Sequence, residues 1–209
     1  LDAQIIEDND LLDEITCLIE FPVGILGDFS PEYLTLPDEV IITVCKHHQR
    51  YLNFKKNGRL IPKFLAFSNI AVKDRDIIKN GYEKVLRARL EDALFFYKED
   101  LKVKLEENIE KLKGIQFHEK LGSLYDKVLR NLQLAKTIAK KLSYKEEAKI
   151  ERSVLLSKAD LLTNMVKEFD ELQGIMGMYY ALKQGEDEEV VKAIYEHYLP
   201  KTADDELPQ

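Results

Sequence analysis

The spacing of apolar positions changes character about halfway along the chain. Over residues 10–19, Leu11, Leu12, Ile15, Leu18 and Ile19 recur at helical spacing and predict a short amphipathic helix. Phe21-Pro22-Val23-Gly24 ends it, and Ser30-Pro31-Glu32 reads as an N-cap followed by proline at the first helical position. Leu36-Pro37-Asp38-Glu39 repeats that start signal, which favours a helix over 38–48. The β-branched run Val40-Ile41-Ile42-Thr43-Val44 argues for a strand there instead. The runs 49–55 and 60–68 are apolar and aromatic, and they flank Lys56-Asn57-Gly58-Arg59. Asn-Gly tolerates positive φ at both central positions of a tight turn, so this is a β-hairpin. Pro62 lacks a ladder donor and implies a free edge near the start of the second strand. A short helix over 74–79 is expected to break at Asn80-Gly81. A longer one over 82–101 then turns Val85, Leu86, Leu90, Ala93, Leu94 and Tyr97 inward.

Beyond that point every segment reads as helical. One helix over 102–112 ends at Gly114, and a second over 117–142 places Leu121, Leu124, Tyr125, Val128, Leu132, Ala135, Ile138 and Leu142 on its inner face. Ser143 with Glu146 forms a capping-box pattern for a third helix running to Val166. Asp170 opens a fourth, closed by Gly185, and a last helix over 187–199 stops at Pro200. The fourth helix contains Gly174 and Gly177. Each costs about 1 kcal/mol against alanine in a helix interior, so another backbone is expected to approach that face. The pattern predicts an α+β fold that is predominantly α-helical, with a mixed part over 1–100 carrying the hairpin and a helical part over 101–209.

The 209 residues suffice for a real core, and 33% charged residues suit a soluble helical protein. No uncharged apolar run approaches membrane-spanning length, and the acidic start (Asp2, Glu7, Asp8, Asp10) is unlike a signal peptide. Both ends read as interior to a longer protein. Cys17 and Cys45 have no metal or redox spacing and are expected to be buried thiols in a reducing cytoplasm. The net charge of −7 is unevenly spread: residues 111–149 hold ten basic and four acidic side chains. A local excess of that kind can meet phosphate on an acidic protein, although a solvated helix face is the blander reading.

No catalytic constellation is visible. There is no Walker-type loop, GxGxxG or GxSxG, and His47, His48, His118 and His197 lack metal-ligand spacing. The helical half resembles an HD-type domain, a family of metal-dependent phosphohydrolases built around a metal-binding His-Asp pair. The matching turn is Leu155-Leu156-Ser157-Lys158-Ala159-Asp160-Leu161, where Ala159 stands in the histidine's place and cannot ligate a metal. His118, near the family's first histidine, lies on a turn expected to be exposed.

The stretch over 168–182, EFDELQGIMGMYYAL, resembles the EF-x-ELQG-x-MG-x-YYA signature of the β subunit of bacterial heterotetrameric glycyl-tRNA synthetase. Collinear phrases extend that resemblance over nearly the whole chain. They include Ile19-Glu20-Phe21-Pro22-Val23, His48-Gln49-Arg50-Tyr51, Gly58-Arg59-Leu60-Ile61-Pro62-Lys63-Phe64 and Val85-Leu86-Arg87-Ala88-Arg89-Leu90. They continue with Lys120-Leu121-Gly122-Ser123-Leu124-Tyr125-Asp126-Lys127, the turn at Ala159, and Glu196-His197-Tyr198-Leu199-Pro200. The resemblance implies a noncatalytic internal portion of a cytoplasmic glycine–tRNA ligase, an α2β2 heterotetramer. In that family the α subunit uses ATP and magnesium, and the β subunit supplies most contacts to glycine tRNA. No cofactor, metal or membrane contact is implied for this chain. Candidate tRNA contacts are Lys127, Arg130, Lys136, Lys140 and Lys141, then Lys46, His48 and Arg50 beside Tyr51, and Arg87 and Arg89, which diverge by about 200° on a helix. Two other readings stay open, a scaffold for α/β assembly and a residual HD-type phosphohydrolase.

Overall fold

In the computed structural model, which describes residues 2–71, 73–203 and 205–209, the Asn57-Gly58 turn organises the first of two units, Leu1–Phe96. Strands β1 (Gln4–Ile5), β2 (Val23–Asp28), β3 (Leu52–Lys56) and β4 (Arg59–Ser68) form one antiparallel sheet in the order β1-β3-β4-β2. Asn57 and Gly58 have φ of 52° and 77°, the left-handed values that a two-residue hairpin turn needs, and the ladder starts at Lys56↔Arg59. β2 pairs with β4 only from Lys63 onward, so among the described residues 59–62 have a strand on the β3 side alone, and Pro62 marks the free edge expected near the start of β4. It sits at a bulge, where Phe54 pairs with Ile61 and Asn53 with Phe64, so Pro62 and Lys63 fall outside the β3 ladder and no donor is missed.

Period-2 alternation along β4 buries Phe64, Ala66 and Ser68. Leu65 and Phe67 instead pack against Leu11 and Ile15 of α1 (Asn9–Leu18), which Asp8 caps by accepting from the Leu11 N–H at 2.9 Å. Cys17 and Leu18 lie off that narrow stripe and are exposed, so only Cys45 is the buried thiol expected. Burial pushes the Cys45 pKa up to about 12. Helix α2 (Asp38–Thr43) continues as a π-helical turn over Val44–Gln49, so the helical reading of 38–48 holds. Complete burial of Val40, Ile41 and Val44 outweighs their strand preference. Arg50, at φ 55°, ends the turn and sends Tyr51 onto Phe64, ring centroids 4.7 Å apart.

Helix α3 (Arg75–Asp100) runs unbroken through Asn80-Gly81. A glycine penalty of about 1 kcal/mol is small beside the full burial of Leu86, Leu90 and Ala93 further along. Val85, expected inside, is exposed.

The second unit, Tyr97–Gln209, is less regular than its periodicity suggests. The expected helix over 102–112 is two 3-10 turns, Leu105–Asn108 and Glu110–Gly114. The expected helix over 117–142 begins later. Gln116–His118 (β5) and Gly122–Ser123 (β6) form a small ribbon, and Gly122 adopts φ 82° before α4 (Leu124–Lys141) starts. Ser123 and Asp126 form the capping box there, whereas Ser143 merely ends the preceding helix at φ 55°. Leu121, Ile138 and Leu142 are exposed rather than inward. The third expected helix divides into α5 (Glu147–Leu156), a 3-10 turn over Ala159–Leu162 and α6 (Asn164–Glu168). Asp100 holds the start of α6, accepting from the Asn164 and Met165 N–H groups at 2.9 Å and from the Tyr180 hydroxyl at 3.0 Å. Gly174, at φ 81°, precedes α7 (Ile175–Lys183) instead of lying inside it. Helix α8 (Glu188–Glu196) packs on α5 and α7, and α4 packs on α5.

Candidate nucleic-acid interface and the buried carboxylate turn

Ion pairing thins the basic excess over 111–149. Lys149 reaches Glu146, Asp187 and Glu189, tying the starts of α5 and α8 together. Lys113 pairs with Glu110, and Lys136 with Glu151 at 2.8 Å. Among the described residues, Lys120, Lys127, Arg130, Lys140, Lys141 and Lys145 make no salt bridge. Arg130 donates to the Leu121 carbonyl at 2.9 Å, and Lys127 lies 4.2 Å above the Phe117 ring. Lys140 and Lys141 are exposed in the last turn of α4, where the helix dipole favours cations. Of the five candidates on α4, Lys136 is therefore committed to Glu151, and the other four remain available to an anion.

The candidates of the first unit are held more firmly. Lys46 pairs with Asp8 at 2.5 Å, and Arg50 with Glu14 at 2.8 Å while also donating to the His47 carbonyl. These pairs tie the π-helical turn to α1, and His48 is half-buried on the same turn. Arg87 is exposed and its charge bears on Tyr33, which hydrogen-bonds Glu91, and Arg89 is half-buried.

The turn at Ala159-Asp160 is sealed. Both residues are fully buried, and the Ala159 carbonyl accepts from Asn108 Nδ2 at 3.2 Å. Asp160 Oδ2 accepts from the Gly174 and Gly177 N–H groups at 2.6 and 3.2 Å, and Oδ1 has no partner. Burial raises the Asp160 pKa to about 6 against the pull of those two amides. Around this carboxylate, a Cβ on Gly177 would meet Ile194 Cγ2 at 2.8 Å and Asp160 Oδ2 at 3.0 Å. The close approach is made by side chains rather than by the backbone expected, Ile194 and Asp160 at Gly177 and the Tyr198 ring at Gly174, which also supplies a left-handed backbone. Among the described residues, no three His, Cys, Asp or Glu side chains are grouped to hold a metal, and His118 is exposed.

Sequence reading missed the residues that gather beside this turn. Lys158 Nζ lies 2.8 Å from His197 Nε2 and 3.5 Å from the centre of the Tyr198 ring. His197 Nδ1 lies 2.6 Å from the Ile194 carbonyl, an acceptor only, so Nδ1 carries the proton and Nε2 accepts from Lys158. Burial lowers His197 to about 4 and Lys158 to about 8, with the Lys127 charge adding to both shifts. Only their places in two separate motif phrases, 39 positions apart, hinted at this pairing. No helix among the described residues is long and apolar enough to cross a membrane.

Comparison with known proteins agrees with the motif phrases. The family model for the glycyl-tRNA synthetase beta subunit matches residues 1–209. The glycine–tRNA ligase beta subunit of Sulfurihydrogenibium sp. (strain YO3AOP1) is 80% identical over the whole chain, which corresponds to 31% of that relative. Those of Persephonella marina and Aquifex aeolicus are 69% and 52% identical over 100% and 95% of the chain, each match spanning 30% of the relative. The chain thus spans about 30% of the length of these relatives, and over that span it belongs to the glycyl-tRNA synthetase β-subunit family.

Proposed function

We propose that this segment is a noncatalytic, tRNA-positioning part of the glycine–tRNA ligase β subunit. It works beside an α subunit that uses ATP, magnesium and glycine, in an α2β2 assembly. The observation that carries this reading is the set of cations on and around α4 with no salt bridge (Lys127, Arg130, Lys140 and Lys141), on a protein whose net charge is −7. Elsewhere in the unit, Lys149 and Arg152 are consumed by carboxylates. Cations without a carboxylate partner are the groups that gain most from phosphate, since each contact releases a condensed counterion. The second unit is, in this reading, an HD-like domain that has lost its metal chemistry. Ala159 occupies the histidine's place, and Asp160 spends one oxygen on the two glycine amides.

The test is Arg130→Glu, Lys140→Glu and Lys141→Glu combined in the α2β2 enzyme. The KM for glycine tRNA should rise at least about 10-fold while glycine-dependent ATP–pyrophosphate exchange keeps its rate. An unchanged KM for tRNA sinks the proposal. A second reading, a scaffold for subunit assembly, draws on Leu134 and Ile138 of α4 and Leu142 just beyond it, which are 60%, 48% and 75% exposed at helical spacing. It predicts loss of the heterotetramer, with both activities falling together, when these leucines and isoleucine become serine.

A further inference from the structure

Strand β2 is the outer strand of its sheet, paired with β4 alone, and the ladder shows which of its backbone groups face outward. The Phe29 N–H donates to the Pro62 carbonyl at 3.2 Å, one position past the Asp28↔Lys63 pair. Hydrogen-bonded and non-hydrogen-bonded pairs alternate along an antiparallel ladder, so Val23, Ile25 and Gly27 also direct their backbone groups to β4. Gly24, Leu26 and Asp28 direct theirs away from it. The Asp28 N–H is met by Glu83 Oε1 of α3 at 2.8 Å. At the other end, Asn69 Oδ1 accepts from the Glu20 and Phe21 N–H groups at 2.9 and 2.8 Å. Between these two side-chain caps, the N–H and C=O groups of Gly24 and Leu26 meet no hydrogen-bond partner among the described residues.

An edge of this kind pairs with any extended chain that reaches it, and folded proteins normally blunt it with lysine, proline, a bulge or a very short strand. Strand β2 has none of these. Its register with β4 is unbroken over Val23–Asp28, and residues 23–27 read Val-Gly-Ile-Leu-Gly, without a charge. The one charge of the strand, Asp28, is engaged by Lys63 and Lys79. The opposite edge is built differently, since β1 has only two residues. The surface beside the open edge is apolar too: Leu26 is exposed, and so is Phe21 where the chain enters β2. Such an edge invites aggregation unless it is covered permanently.

We infer that the edge of β2 is completed by a strand from another part of the same β subunit. The 209 residues correspond to 31% of the Sulfurihydrogenibium relative, so in a chain of that length more than twice as much lies outside this segment as within it. A segment of the same chain is always present at high effective concentration, which suits a contact that has to stay closed. The edge fits an extended stretch of about five residues. Its alternate backbone groups would pair with Gly24 and Leu26, and its apolar side chains would lie beside Leu26.

The experiment is amide hydrogen exchange, resolved to single residues, on the full-length β subunit alone and together with its α subunit. In both samples the Gly24 and Leu26 amides should exchange at least about 100-fold more slowly than in open chain, in step with Ile25 and Gly27. Exchange of Gly24 and Leu26 near the open-chain rate, while Ile25 and Gly27 stay protected, shows a free edge and overturns the inference. Protection that appears only with the α subunit, or only at concentrations where β self-associates, assigns the edge to another chain and overturns it as well.

Discussion

The same substitution, glycine to alanine inside a helix, is expected to have opposite signs at Gly81 and Gly177. Alanine gains about 1 kcal/mol of helix propensity at either position. At Gly81, in α3, an added Cβ meets nothing within 4 Å, so that gain is realised in full. At Gly177 the Cβ falls 2.8 Å from Ile194 Cγ2 and 3.0 Å from Asp160 Oδ2. Ile194 is fully buried and β-branched, which leaves it little rotamer freedom with which to give way. Overpacking there costs about 1–3 kcal/mol. Moving the Asp160 carboxylate weakens hydrogen bonds to a charged acceptor, each worth about 1.5–3 kcal/mol. Against the propensity gain, Gly177→Ala should destabilise by about 2–4 kcal/mol, and Gly81→Ala should stabilise by about 1 kcal/mol. Urea denaturation, combined with hydrogen exchange of the α7 and α3 amides, separates the two units. A Gly177→Ala protein as stable as wild type would refute the close packing of α7 on α8 and Asp160.

Asp160 should also make stability depend on pH. Its folded pKa of about 6 lies above the ordinary 3.8, so its contribution is fully present below about pH 3.8 and is lost as pH climbs through about 6. At about 1.4 kcal/mol per pH unit the full swing is about 3 kcal/mol. The stability difference between Asp160→Asn and wild type should therefore move in favour of asparagine by that amount between about pH 4 and pH 7.5, and a constant difference in paired urea titrations rules it out. Gly27→Ala drives a Cβ into the ring of the fully buried Phe64, and its thermal midpoint should fall as for a loss of about 3 kcal/mol. Asp100→Ala leaves the Asn164 and Met165 amides and the Tyr180 hydroxyl without their acceptor. It should cost about 2–4 kcal/mol, and exchange of the α6 amides should accelerate.

Local signals were legible in the sequence wherever a few adjacent residues decide the outcome. Asn57-Gly58 specified its turn, and Leu11 with Ile15 specified the buried stripe of α1. Apolar periodicity failed where tertiary partners set the backbone. The segments over 102–123 and 157–174 carry helical spacing but fold as 3-10 turns, a short ribbon and the short helix α6. Their ends are fixed by distant groups such as Asp100 with Asn164 and Asp160 with Gly174, which no window of sequence brings together. The capping box was misplaced for a related reason. Ser143-x-x-Glu146 has the same wording as a box, but Ser123 with Asp126 makes the hydrogen bonds. At the candidate site, residue types pointed to α4, yet a count of charges could not show that Lys136 and Lys149 are spoken for. The pairing of Lys158 with His197 was beyond sequence, because it depends on α8 ending beside the turn after α5.

The central claim, that the cations without salt bridges on and around α4 meet tRNA phosphates, is tested most directly by the salt dependence of glycine-tRNA binding. Affinity of the proposed α2β2 enzyme is measured from about 50 to 200 mM salt, for wild type and for Arg130→Gln/Lys140→Gln/Lys141→Gln. Loss of up to three phosphate contacts should flatten the slope of log affinity against log salt by about 1 to 3. A slope identical to that of wild type would contradict the account.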